Sequence, residues 1–61
     1  MIIHEDLEGD DLYITVSSTG NIWITCNEND ASITELYFNK SSIKRIIEDL
    51  QEKLKEVETN E

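Results

Sequence analysis

From Phe38 to Val57 the apolar residues Ile43, Ile46, Ile47, Leu50, Leu54 and Val57 recur at helical spacing. Steps of three, four and seven place them in one stripe along an α-helix. Such a stripe has to be covered, so it constrains whatever precedes it. The chain has no proline, and no glycine follows Gly20, so nothing interrupts the run. Asn39 is the predicted N-cap, its side-chain oxygen accepting from the backbone N–H of Ser41 or Ser42; Ser41 is the rival cap. With Asn39 as cap, Phe38 and Ile43 stand at the two positions of a hydrophobic staple. Arg45–Asp49 and Asp49–Lys53 are favourable pairs four residues apart, whereas Glu48–Glu52 and Glu52–Glu56 repel. The helix therefore depends on burying its stripe more than on its own propensity. Glu58 to Glu61 follows the last apolar residue and is expected to fray.

Upstream the period changes from helical to alternating. Leu12 to Ser17 sets Leu12, Ile14 and Val16 against Tyr13, Thr15 and Ser17, the pattern of a strand with two different faces. Ser18-Thr19-Gly20-Asn21 reads as a turn. Ile22 to Cys26 is a second strand, Asn27 to Asp30 a polar turn, and Ala31 to Phe38 a third strand. Tight turns between consecutive strands imply an antiparallel meander. Met1 to His4 is a short apolar piece, an edge strand or an arm. Glu5 to Asp11 packs five carboxylates around Gly9 and reads as a solvated loop. No sequence repeat appears.

These readings predict a single α+β domain over residues 1–61. It is a three-stranded antiparallel β-meander packed on one C-terminal α-helix, with an acidic arm at 1–11 and a tail at 58–61. The core would join Leu12, Ile14, Val16, Ile22, Ile24, Cys26, Leu36 and Phe38 to Ile43, Ile46, Ile47, Leu50 and Leu54 in two layers. The opposite sheet face then carries Tyr13, Trp23, Ile33 and Tyr37, diluted by Thr15, Thr25 and Glu35. A two-layer domain normally leaves that face polar, so these four residues are the expected homodimer interface. Size points the same way. A chain this short buries only about 60% of its extended surface, and a lone Cys26 offers no intrachain disulfide.

The charge is −9, and its distribution matters more than its sum. All five bases lie between Lys40 and Lys55. Residues 1–39 hold eight acids and no lysine or arginine. That balance opposes direct binding to nucleic acid or an anionic membrane and suits a basic protein surface. Glu5, Asp6, Glu8, Asp10, Asp11, Glu28, Asp30 and Glu35 are the expected partner-binding residues. A single cysteine, with no export signal and no apolar run long enough for a bilayer, fits a reducing cytoplasm.

Catalytic chemistry finds little support. His4 has no partner at a known motif spacing, and catalysis needs a positioned second group. Cys26 falls on the core face, where a cysteine behaves as a small hydrophobe. An EF-hand frame begun at Asp6 places acids at positions 1, 3 and 5 but Asp11 at position 6, where glycine is required, and Ser17 at position 12, where glutamate is required. The expectation is no catalytic residue, no metal and no cofactor.

In size, acidity and the strand-then-helix order of Leu12 to Val57, the chain resembles small phage-encoded proteins that block bacterial defence. These include anti-CRISPR proteins, Hachiman anti-defence inhibitors and DNA mimics. The resemblance rests on no shared motif and carries no functional residue across. It implies a non-enzymatic inhibitor in the host cytoplasm, docking on a basic site of a nuclease or helicase. The alternative is a self-associating structural or assembly protein without a specific target.

Overall fold

A computed structural model describes residues 1–29 and 31–60. The chain is α+β: strands β1 (Ile3–Glu5), β2 (Asp11–Val16), β3 (Ile22–Asn27) and β4 (Ile33–Phe38), then helix α1 (Lys40–Thr59). The strands form one antiparallel sheet in the order β1-β2-β3-β4. The meander thus has four strands and not three. The apolar start of the chain pairs with β2, setting Ile3 against Tyr13 and Glu5 against Asp11. The acidic loop is correspondingly shorter than Glu5 to Asp11, since both of those residues belong to strands.

The register divides the side chains between the faces as alternation requires. Leu12–Cys26–Thr34, Ile14–Ile24–Leu36 and Val16–Ile22–Phe38 are cross-strand rows on one face. Tyr13–Thr25–Glu35 and Thr15–Trp23–Tyr37 are rows on the other.

All three hairpins use one turn. Asp6 N–H donates to Asp10 O and Gly9 N–H to Asp6 O; Ser17 with Gly20 and Asn21, and Glu28 with Ala31 and Ser32, repeat the arrangement. The fourth residue of each turn has positive φ: Gly9 at 84°, Gly20 at 85° and Ala31 at 71°. This is the three-residue hairpin loop whose last residue is left-handed. It recurs every eleven residues, at positions 9, 20 and 31, a periodicity of backbone conformation more than of residue type.

Helix α1 starts as the sequence predicts. The Asn39 side chain accepts from Ser42 N–H at 2.8 Å, and Lys53 pairs with Asp49 at 3.0 Å. The helix continues through Thr59, whose hydroxyl donates to the Lys55 and Glu56 carbonyls.

The expected two-layer core does not close. Among the described residues no apolar side chain is buried, and the most enclosed residue is Thr25, 5% exposed. Ile43 and Ile46 in the first turns of α1 are half-buried. Beyond them Ile47, Leu50, Leu54 and Val57 are 49%, 64%, 58% and 60% exposed. On the sheet face meant to receive them, Ile14, Val16 and Leu36 are 49%, 75% and 47% exposed. The reason is the connection. Asn39 alone separates β4 from α1, whereas strand-to-helix loops usually take two to six residues. The helix consequently leaves the sheet, and the molecule measures 38 × 31 × 17 Å. Its radius of gyration, 13.6 Å, exceeds the roughly 10.5 Å of a compact chain this long.

The shared turn generates a prediction. A left-handed residue other than glycine costs about 1–2 kcal/mol. Ala31→Gly should stabilise the fold by about 1 kcal/mol, and Gly20→Ala, with open space around it, should cost a similar amount. Gly9→Ala should cost more, because its new Cβ would also lie 3.1 Å from Asn29 Nδ2. Urea unfolding midpoints measure all three.

Candidate functional site

The β1–β2 and β3–β4 turns lie at the same end of the meander, and side chains join them. Asp6 Oδ1 accepts from Glu8 N–H and Asp10 N–H, each at 2.8 Å. Asp10 Oδ1 accepts from Asn29 N–H at 2.9 Å, and Asn29 Nδ2 donates to Glu8 O at 2.8 Å. Gly9 permits this closeness, since any side chain there would press on Asn29. The result is one ordered rim bearing Glu5, Asp6, Glu8, Asp10, Asp11 and Glu28.

Of the eight acids expected to bind a partner, these six come together. Glu35 stands apart, in mid-strand on β4 opposite Thr25. Asp30 lies outside the described residues. Asn29 and Gly9 emerge as the organisers of the rim. Sequence reasoning treated Asn29 only as turn chemistry, and the one available signal was the eleven-residue interval between Gly9 and Gly20.

A groove of about 370 Å³ opens beside the rim, lined by His4, Glu5, Asp6, Asp10, Asp11, Leu12, Cys26 and Glu28. Carboxylate oxygens of Asp6, Glu8 and Asp10 lie within 4.8 Å of one another. Unit charges that close repel by roughly 1 kcal/mol even at the dielectric of water, so an approaching ammonium or guanidinium would relieve them. Part of the oxygen capacity is already taken by backbone N–H groups, as befits a turn.

His4 and Cys26 share a sheet face with Leu12 between them, through the pairs His4–Leu12 and Leu12–Cys26. Two strand spacings put their backbones roughly 10 Å apart. Direct proton transfer needs about 3 Å between the heavy atoms, and no hydrogen bond joins the two side chains.

The four residues expected at a dimer interface all occupy one face. Trp23 and Tyr37 are in contact, ring centroids 4.2 Å apart and planes tilted 33°. The Tyr37 hydroxyl is bonded by Asn21 Nδ2 at 3.0 Å, Thr19 Oγ1 at 3.1 Å and Ser17 Oγ at 3.3 Å. Tyr13 and Trp23 are half-buried, while Ile33 and Tyr37 remain open. Much of this face is thus satisfied within the chain.

No helix among the described residues is long and apolar enough to cross a membrane. The chain matches no family model, no curated protein and no solved structure.

The Tyr37 cluster yields a pH prediction. Hydrogen bonds from Ser17, then Thr19 and Asn21, favour the phenolate and hold Tyr37 below its ordinary value of 10.0. A lowered folded-state value means that ionisation adds stability as pH rises through it, with the contribution complete above the unfolded value. Phenolate absorbance should therefore begin to rise early in an alkaline titration, and Tyr37→Phe should remove that early component.

Proposed function

We propose that this chain is a non-enzymatic binding protein whose acidic rim docks on a basic surface of another protein. The observation that carries the reading is the Asp10–Asn29–Glu8 linkage, which joins two turns into a single array. A flexible acidic loop only keeps a chain soluble, whereas carboxylates held in place favour a complementary cationic surface.

The narrower form of the proposal names the basic surface as the nucleic-acid-binding site of a host defence nuclease or helicase, occupied as a phage inhibitor would occupy it. Duplex DNA presents one charge per roughly 1.7 Å of axis, and a dense carboxylate rim competes for the same lysines and arginines. Self-association is the second reading, favoured by the uncovered apolar stripe of α1.

The test is capture from bacterial lysate on the immobilised chain, followed by affinity measurement with the captured protein. Binding should weaken steeply with salt, and duplex DNA should displace the chain. Glu8→Lys with Asp11→Lys preserves the side-chain hydrogen bonds of the rim and should weaken binding at least tenfold, which is about 1.4 kcal/mol. Glu58→Lys, on the helix, should change it less than twofold. Equal effects at the two places, or indifference to salt, would refute the proposal.

A further inference from the structure

We infer that the fold is completed by a second copy of the chain through reciprocal exchange of the helix. In this arrangement α1 of each copy lies on the other copy's sheet face, against Ile14, Val16, Ile24 and Leu36. The inference is independent of the acidic rim and concerns the opposite problem, the apolar surface that nothing in one chain covers.

Three observations converge on it. The first is area. A compact protein of 7.1 kDa exposes roughly 4,100 Å², whereas this chain exposes 5283 Å², an excess of about 1,200 Å². Removing that excess from two copies buries about 2,400 Å² in total, within the range of obligate homodimers. The second is connectivity. The single residue between β4 and α1 carries the helix away from its own sheet, and short hinges favour exchange of an element between protomers over folding back. Exposure accordingly rises from the half-buried Ile43 and Ile46 to the open Leu50, Leu54 and Val57.

The third is the cover each pairing provides, which decides how two copies meet. The apolar sheet rows carry no acid, and the five bases of α1 are matched by five acids on the same helix, so cover and not charge separates the possible pairings. Sheet against sheet would leave the apolar stripes of both helices open. Helix against helix would leave both apolar sheet faces open. Helix on sheet covers both apolar surfaces.

Sedimentation equilibrium of the full chain from about 1 to 100 μM tests the inference. Twice 7.1 kDa is expected, with a thermal midpoint that rises with concentration; a mass of 7.1 kDa throughout would overturn it. Leu50→Glu with Leu54→Glu should abolish the dimer, whereas Ile33→Glu, on the other sheet face, should leave it intact. An unaltered dimer in the first variant, or its loss in the second, would count against this surface. Because the double variant could fail by unfolding, a third form isolates the exchange. Inserting Gly-Ser-Gly-Ser between Phe38 and Asn39 keeps the N-cap and lets the helix return to its own sheet. A helical, cooperatively folding monomer is expected; a dimer as tight as the parent would exclude exchange. These masses are read on the isolated chain, so they stand or fall separately from capture of a basic protein.

Discussion

The brevity of the connection at Asn39 governs this molecule. The residue satisfies a free N–H of the first helical turn through its side chain, and it is also the whole link between sheet and helix. A good cap starts the helix promptly, and prompt initiation leaves no chain in which to turn back over the sheet. Local stability and tertiary closure are therefore opposed at one position. The local term prevails within the single chain, and two matched apolar surfaces stay open, one on α1 and one on the sheet. Whatever covers them contributes a large part of the stability, because a domain of this size has little other apolar area to bury.

The opposite end of the meander is built on another logic. Its order comes from polar groups: carboxylates accepting backbone N–H bonds, an asparagine bridging two turns, and a glycine that lets them approach. Each bond adds modestly to stability. Together they hold like charges nearer than a free loop would keep them. The structure thus separates its needs, with an apolar middle that demands cover and an anionic end that stays wet and oriented.

Much of the fold was legible in the residues. Strict alternation from Leu12 to Val16 and Ile22 to Cys26 assigned those side chains to their faces, because a period of two leaves no other choice once hairpins set the register. Asn39 was readable as a cap from its place before the first helical turn. Strand β1 stayed undecided, since three residues are too few to show alternation. The closed two-layer core was the main error. An amphipathic stripe states that cover is needed without stating which molecule supplies it. Only the count of residues between Phe38 and Lys40 carried that information, and it emerges once the end of β4 is known. The acidic site was legible as composition, but its organisation was not. Asn29 joins Asp10 and Glu8 across some twenty residues of chain, and such a link exists only after the strands are in register.

Trp23 is the chain's single tryptophan, and it rests against a phenol ring at the end of the sheet farthest from the acidic rim. Its emission is consequently sensitive to one hairpin and to the charge on its neighbour, while events at the rim occur well away from it. The molecule carries an intrinsic fluorophore that reports on the β2–β3 hairpin without added label.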